Sequence, residues 1–175
     1  GGGIFCAWES RVRLVGCKIS GNAAGEGGGI YSDGTTSLEN CIVSGNFAPL
    51  ISDGDYAYAG VGGAVYGRGS VHLTNCVVVG NGSDEGWGGL PASTVLTNCI
   101  VWANVRERYP AGMSATYSCI ETQTPWPGDG NTNQNPVFLD PGYWMPADWP
   151  YIWIEGDYHL LPGSPCIDAG TNNVD

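Results

Sequence analysis

The sequence predicts an all-β fold, a right-handed parallel β-helix of about five coils with an irregular, aromatic-rich C-terminal cap. The first observation is a phrase centred on cysteine that recurs at spacings of 24, 35, 23 and 20 residues: LVGCKISGN, LENCIVSGN, LTNCVVVGN, LTNCIVWAN and the fainter TYSCIE. The second is a glycine-led phrase upstream of most copies, as in GGGIY (27–31) and GGAVY (62–66). Repeats of this length are typical of solenoids, in which equivalent segments stack.

The repeats are predicted to be strands rather than helices. Apolar residues alternate with mixed positions around each cysteine, as at Leu38, Cys41 and Val43, and β-branched residues are enriched. The glycine-led phrase supplies a third strand. We therefore expect three short strands per coil, with successive coils about 4.8 Å apart.

A sharp corner is predicted just before each cysteine. That position holds residues that tolerate a left-handed backbone, and one such residue between two strands turns the chain abruptly. A corner also explains why Leu38 and Cys41, which are three residues apart, both fit inward-pointing positions although a continuous strand would turn them to opposite faces. The predicted corner residues are Gly16, Asn40, Asn75 and Asn98, with Ser118 in the fifth copy.

Stacked coils place equivalent side chains in ladders. A cysteine ladder is expected to be buried and reduced, because Cβ atoms about 4.8 Å apart exceed the disulfide range; its members are Cys17, Cys41, Cys76, Cys99 and Cys119. An asparagine ladder is expected to form hydrogen bonds along itself; its members are Asn22, Asn46, Asn81 and Asn104. The pairing state of Cys6 and Cys166, outside the ladders, stays open.

Charge and composition exclude several partner classes. The formal net charge is −11, with only six lysines and arginines, so nucleic acid, anionic membranes and polyanionic polysaccharides are poor partners. No apolar run reaches the roughly 18 residues of a membrane-spanning helix, so membrane insertion is not expected. The low lysine content and the many Gly, Asn, Ser, Thr and Trp residues favour an extracellular or cell-surface location.

The chain divides into coils (1–121) and a C-terminal segment (122–175) that is expected to cap the last coil within the same domain. The first coil, Gly1 to Val15, has no comparable cover in the sequence. Either the chain is cut from a longer β-helix, or another copy covers this coil. In the second case residues 122–175 of one copy contact the first coil of the next, and such head-to-tail contacts build filaments.

The pairing of GG[GA][IV] with [IV]-x-x-N, as at Val43 to Asn46, resembles the repeats of polymorphic outer-membrane proteins and related bacterial right-handed β-helix proteins. NPVFLDP (135–141) followed by GDYHLLPGSPCIDAG (156–170) is similar to the C-terminal region of secreted bacterial β-helix proteins with interchangeable anchors. The resemblance implies a secreted or surface fold, usually continued by an anchoring segment, and fixes no single activity.

Catalytic and metal sites are weakly indicated. Polysaccharide lyases and glycosidases need carboxylates on neighbouring coils, whereas the predicted strands carry almost none. If the chain is an enzyme, the candidates lie in the loops: Asp53, Asp55, Asp84, Glu85 and Arg106. Calcium is the one cofactor that the oxygen-rich turns allow, through Asp53, Asp55 and Asp129, although such residues usually bond the local backbone. His72 and His159 are too far apart in the repeat pattern for zinc.

An aromatic row is predicted on the outer face of the first strand position. If Ile4, Ile30 and Val65 point inward, then Phe5, Tyr31 and Tyr66 point outward and form a surface on which sugar rings stack. The favoured interpretation is instead that the Trp-rich tail folds back and covers this row, through Trp144, Trp149 and Trp153. Asn81-Gly82-Ser83 matches the N-glycosylation pattern, but a ladder position is expected to be buried.

The function that these features favour is a non-catalytic extracellular module with a structural, adhesive or glycan-contacting role. A head-to-tail filament or surface-array subunit is one form of it. The alternative class is a carbohydrate-active enzyme, and convergence of two or more carboxylates in one groove would favour that class.

Overall fold

The structure is a computed structural model that describes residues 1–52, 54, 57–58, 60–85, 89–105, 109–145 and 152–172. These residues are all-β, and no helix among them is long and apolar enough to cross a membrane. The first ten strands are β1 (Ile4–Cys6), β2 (Arg11–Val15), β3 (Lys18–Ser20), β4 (Ile30–Ser32), β5 (Thr35–Glu39), β6 (Ile42–Ser44), β7 (Phe47–Ala48), β8 (Ile51–Ser52), β9 (Ala57–Tyr58) and β10 (Val65–Tyr66). The others are β11 (Val71–Thr74), β12 (Val77–Val79), β13 (Gly82–Ser83), β14 (Thr94–Thr97), β15 (Ile100–Trp102), β16 (Ser114–Thr116), β17 (Cys119–Ile120), β18 (Phe138–Asp140), β19 (Tyr143–Trp144), β20 (Trp153–Ile154) and β21 (Asp157–Leu160).

Three parallel sheets organise the repeats. The first sheet has the order β1-β4-β10, the second β2-β5-β11-β14-β16, and the third β3-β6-β12-β15-β17. Consecutive strands of one repeat therefore belong to different sheets, while equivalent strands of successive repeats pair in parallel with Leu14, Leu38, Leu73 and Leu96 in register. The all-β prediction is confirmed for the described residues, and the stacked parallel sheets are consistent with a β-helix-like solenoid.

Two left-handed corners flank each of the first four strands of the third sheet, β3, β6, β12 and β15. The corner before the cysteine has φ of 61°, 52°, 53° and 53° at Gly16, Asn40, Asn75 and Asn98. A second corner follows each of these strands and has φ of 65°, 56°, 63° and 53° at Gly21, Gly45, Gly80 and Ala103. Glycine and asparagine carry most of these corners because they adopt positive φ at least cost.

The core lies between the sheets and is built from the leucine, cysteine and valine positions. In the second repeat Leu38, Cys41 and Val43 are at most 1% exposed. Each cysteine also joins neighbouring repeats: the Cys41 Sγ accepts the Cys17 backbone N–H at 3.4 Å, and the Cys76 Sγ accepts that of Cys41 at 3.4 Å. All seven cysteines are free thiols in the structure.

The fifth repeat corrects the predicted cysteine ladder by one residue. The register pairs Ile100 with Cys119, which leaves Ser118 opposite Cys99, and the Ser118 Oγ accepts the Cys99 N–H at 3.1 Å. The left-handed corner is likewise at Tyr117 (φ 50°) and not at Ser118. Because side chains alternate between faces, this one-residue displacement turns Cys119 onto the outer face of the third sheet.

The asparagine side chains form a continuous chain of amides. The Asn22 Nδ2 donates to the Asn46 Oδ1, Asn46 to Asn81, and Asn81 to Asn104, each at 2.9 Å. The same Oδ1 atoms accept backbone N–H groups at 3.1, 3.0 and 3.0 Å. Asn46 and Asn81 are fully buried, so these bonds satisfy groups that would otherwise be costly to bury.

The C-terminal segment lies against the last repeat and against the outer face of the third sheet. Near its start, the Asn131 Oδ1 accepts the Ser118 N–H at 2.9 Å. Two antiparallel pairs follow, β18 with β21 and β19 with β20. Glu155 then accepts a hydrogen bond from the Ser44 Oγ at 3.0 Å and lies 3.3 Å from the Lys18 Nζ. The Trp153 ring packs on Gly45 and Gly80, whose lack of a side chain makes room for it.

Candidate glycan-contacting surface

The first sheet presents an aromatic row outward. Its register aligns Phe5 with Tyr31 and Tyr31 with Tyr66. The preceding position points inward, since Ile30 and Val65 are at most 1% exposed. Alternation along each strand therefore turns the three aromatic side chains to the surface.

The three rings contact one another. Phe5 and Tyr31 are stacked, with centroids 5.4 Å apart and planes inclined by 18°. Tyr31 and Tyr66 meet edge to face at 5.8 Å. Phe5 is 63% exposed, and the two tyrosines are partly exposed. Parallel pairing thus holds a continuous apolar strip with hydroxyl groups at two of its three positions.

The predicted cover of this row by the tail is wrong for the two tryptophans that the structure describes. Trp144 lies 5.6 Å from Phe47 and 5.2 Å from Trp153, measured between ring centroids. Trp153 itself packs on Gly45 and Gly80 beside the third sheet. Trp149 lies outside the described residues.

Tyr31 has an acidic neighbour. Burial, followed by the charge of Asp33 and a hydrogen bond with it, raises the pKa of Tyr31. The Tyr31 hydroxyl therefore stays protonated and donates to the Asp33 carboxylate. Asp33 also accepts the Arg68 backbone N–H at 3.4 Å, so it joins the aromatic row to the next turn.

An arginine cleft (Trp8, Glu9, Arg11, Asp33 and Arg68) of about 440 Å³ opens directly after these strands. Trp8 is 71% exposed. Within the described part of the chain neither cleft arginine has a carboxylate ion-pair partner, whereas Arg13 is bound by Glu39 at 2.6 Å. An exposed indole beside two guanidinium groups offers both a stacking platform and hydrogen-bond donors.

Sequence reasoning missed this cleft. The turn phrases AWES, SDG and GRGS each follow the first strand of a repeat, and aligning those turns places their side chains together. The prediction of the ladders rests on the cysteine-centred phrases, which do not include this turn. Glu9, with φ of 62°, is the residue that bends the first of these turns.

The loop carboxylates that the sequence singled out are only partly described. The Asp84 Oδ2 accepts the Leu50 N–H at 2.8 Å, and the Asp84 N–H donates to the Ala48 carbonyl at 3.0 Å, so Asp84 fastens the segment after β7. Glu85 is exposed and donates its N–H to the Gly60 carbonyl at 3.2 Å. Asp53, Asp55 and Arg106 lie outside the described residues.

The third calcium candidate is separate from that loop. The carbonyl of Asp129 accepts the Tyr117 N–H at 2.7 Å, which places Asp129 at the corner of the fifth repeat. In the described ranges no three His, Cys, Asp or Glu side chains converge as metal ligands. Asn81, the residue of the glycosylation pattern, is fully buried in its ladder and inaccessible to modification in the folded chain.

The aromatic row and the arginine cleft therefore adjoin one another. The aromatic row and the arginine cleft are contiguous in sequence and lie on consecutive repeats. Comparison with protein-family models, with curated proteins and with solved structures finds no match to this chain.

Proposed function

We propose that this chain is a right-handed parallel β-helix of about five coils that serves as a non-catalytic, extracellular or cell-surface module contacting a glycan through its aromatic row. The observation that carries the proposal is the exposed, mutually contacting row of Phe5, Tyr31 and Tyr66. Flat apolar rings bordered by hydroxyl groups suit the apolar faces and hydroxyls of pyranose rings. The row runs across the strands, so an extended oligosaccharide lies along the stacking direction.

The arginine cleft continues the same surface. Trp8 adds a further exposed ring, while Arg11 and Arg68 supply donors for sugar oxygens. The net charge of −11 opposes long polyanionic chains, so the proposed ligand is a neutral or sparsely charged oligosaccharide.

The test is direct binding of a panel of soluble neutral polysaccharides, followed by calorimetry on any ligand found. Tyr31→Ala and Phe5→Ala are each expected to weaken binding about tenfold or more, which corresponds to about 1.4 kcal/mol. Tyr143→Ala is the matched control, because Tyr143 is 57% exposed but belongs to the C-terminal segment. Equal loss in the control, or no binding to any member of the panel, would contradict the proposal.

A carbohydrate-active enzyme is the second candidate, and one observation favours it. Glu9 and Asp33 both line the arginine cleft, and glycosidases use a pair of carboxylates flanking the scissile bond. Release of reducing ends from a bound polysaccharide, abolished by Glu9→Gln or Asp33→Asn, would replace the non-catalytic proposal. Binding without product release supports the module.

Head-to-tail association is the remaining part of the proposal. It is supported by the partly exposed core at the first repeat: Ile4 and Leu14 are partly buried, whereas their partners Ile30 and Leu38 are fully buried. Light scattering over a range of concentrations should show growth beyond a monomer, and Val15→Glu, at an exposed position of β2, should reduce it. A monomer at every concentration would rule the filament out.

A further inference from the structure

The outer face of the third sheet carries one cysteine among apolar residues. Cys119 occupies the position held by Ile42, Val77 and Ile100 in the preceding repeats. Those three residues are partly exposed, whereas Cys119 is only 3% exposed. Its burial therefore comes from something laid over the sheet at the fifth repeat.

Part of the cover is residues 130–134, since Thr132 pairs with Cys119 and the Gln134 carbonyl lies near its Sγ. The other part is the end of the C-terminal segment, which is tied down on both sides of Cys166. Upstream, the Ser164 Oγ donates to the Pro136 carbonyl at 2.5 Å. Downstream, the Asn98 Nδ2 donates to the Thr171 carbonyl at 2.8 Å, and the Thr171 N–H donates back to the Asn98 Oδ1 at 2.8 Å. Cys166 is thus held over the last two repeats by anchors two and five residues away.

Both thiols open onto one small cavity. Cys119 and Cys166 line the same space of about 110 Å³, together with Cys99 and Gly170. The Cys119 Sγ lies 3.1 Å from the Gln134 carbonyl, on the tail side of the sheet and away from the ladder. Cys99 points inward, with its Sγ 3.4 Å from the Leu73 carbonyl. The two outward-facing thiols are therefore the pair that the cavity brings together.

The two thiols also differ in chemical character. A hydrogen bond from Cys119 lowers the pKa of Cys166. The same bond, followed by burial, raises the pKa of Cys119. Cys166 is only partly buried, so it is both the more acidic and the more accessible thiol of the pair.

We propose that Cys119 and Cys166 form a disulfide that fastens the end of the C-terminal segment to the outer face of the last repeat. The oxidant is a small disulfide such as glutathione disulfide, or a protein disulfide of the same reactivity. This inference does not depend on glycan contact, since it concerns the third sheet and not the first.

The reaction balances as two thiol–disulfide exchanges. The Cys166 thiolate attacks one sulfur of the oxidant and releases one thiolate, which leaves a mixed disulfide on Cys166. Cys119 then loses its proton to solvent and attacks the Cys166 Sγ, releasing the second thiolate. The protein loses two electrons and two protons, and one oxidant disulfide becomes two thiols.

The ladder cysteines are the other thiols that could form a disulfide, and their geometry disfavours that bond. Cys41, Cys76 and Cys99 sit at equivalent positions of parallel strands, whose Cβ atoms are about 4.8 Å apart and so beyond the usual disulfide range. Their side chains are also buried in the core. Oxidation of the native protein should therefore stop after one bond.

The experiment oxidises the native, full chain with glutathione disulfide, quenches with acid, and alkylates the remaining thiols after denaturation. Intact mass should show five of the seven cysteines alkylated and no bound glutathione. Peptide mapping after pepsin digestion at acid pH should recover one linked pair containing Cys119 and Cys166. A linkage between Cys76 and Cys99, or seven alkylated thiols, would overturn the proposal.

Two variants give the matched comparison. Cys119→Ser should stop at a mixed disulfide on Cys166, whereas Cys6→Ser, at a buried cysteine of the first repeat, should still form the bond. If either variant fails to fold, the wild-type map alone decides. Limited proteolysis tests whether the disulfide fastens the C-terminal segment. Cleavage within 161–172 should slow at least tenfold on oxidation and recover on reduction. Equal cleavage rates in the two states would overturn the fastening role.

Discussion

The outer faces of the first and third sheets are built in the same way but differ in solvent exposure. Both consist of the outward-pointing residues of parallel strands. On the first sheet the described rings stay open, with Phe5 63% exposed. On the third sheet the segment 152–172 lies over the strands, and Cys119 is 3% exposed. The difference shows that outward apolar residues of equivalent strands stay exposed only where no other part of the chain covers them.

The two faces consequently use aromatic residues for different purposes. Trp153 fills the space above two glycine corners and contributes to stability. Phe5 is 63% exposed and buries little surface against the protein itself, so its removal should cost binding rather than folding. Stability measurements can separate these two roles.

The largest effect is expected at the covered glycine corner. Gly80→Ala combines an alanine at φ of 63° with a methyl group driven into the Trp153 ring, and should destabilise the fold by about 3 kcal/mol. Gly21→Ala has a similar φ of 65° and open space at the added methyl, so it should cost about 1 kcal/mol. Urea unfolding of both variants measures the difference; equal losses would mean that Trp153 does not occupy that site.

Removing the covering ring should have the next largest effect. Trp153→Ala should lower the free energy of unfolding by about 2 kcal/mol, less than for a fully buried tryptophan, because the residue is partly exposed. Trp8→Ala is the control, since Trp8 is 71% exposed and its loss should change stability by less than about 0.5 kcal/mol. If Trp8→Ala were as damaging as Trp153→Ala, the contrast between open and covered faces would fail.

A pH dependence should mark the covered face. Burial, followed by the hydrogen bond to Glu155, raises the pKa of Tyr158 to about 12. The folded protein then holds this proton more tightly than the unfolded chain, whose tyrosine pKa is about 10. The resulting stabilisation is complete below about pH 10 and is lost as the pH rises towards 12, by about 1 kcal/mol after allowance for the partial exposure of the side chain.

The check is thermal unfolding from pH 9 to pH 12. Tyr158→Phe should be less stable at pH 9 and should lose stability less steeply than the wild type. Tyr143→Phe, at a 57% exposed tyrosine, should follow the wild-type curve. If stability fell equally with pH in all three proteins, the pKa of Tyr158 would not be raised in the folded state.

The smallest effect is expected on the open face. Phe5→Ala should change the free energy of unfolding by about 0.5 kcal/mol or less, which is the size of one exposed ring contact. The measurement is the urea midpoint of the same protein used for glycan binding. A loss near that of Trp153→Ala would mean that the aromatic row is structural.

The repeat was readable from the sequence because its signals are local. Asparagine or glycine before each cysteine marks a left-handed corner, and the alternation from Leu38 to Val43 marks strands. The prediction for the fifth repeat was wrong by one residue because it made Cys119 equivalent to Cys99. The packing instead puts Ser118 opposite Cys99 and Ile120 opposite Val101, so that the larger apolar side chain fills the core.

The surface could not be read in the same way. Whether the tail covers the first or the third sheet depends on contacts distant in sequence, such as Glu155 with Ser44 and Lys18. The arginine cleft likewise joins Arg11 to Arg68 across three repeats. Local propensity carries no information about such pairs, although the Gly-Asn steps at 45–46 and 80–81 hint at the second corner.

The hydrogen-bonded chain of asparagine amides is polar along the stacking direction of the repeats. In each link of the chain the Nδ2 donates towards the higher repeat number and the accepting Oδ1 faces the lower one. The Nδ2 groups of Asn46 and Asn81 also donate to a carbonyl of the preceding repeat. Aligned amide dipoles reinforce one another, so the two ends of the chain are chemically unlike. The Asn22 end is an acceptor. At the other end the Asn104 Nδ2 makes the same backward bond as Asn46 and Asn81, to the Val78 carbonyl at 3.1 Å. Any asparagine that extends the row beyond Asn22 must arrive donor first, which makes the stack a polar template that distinguishes its two ends.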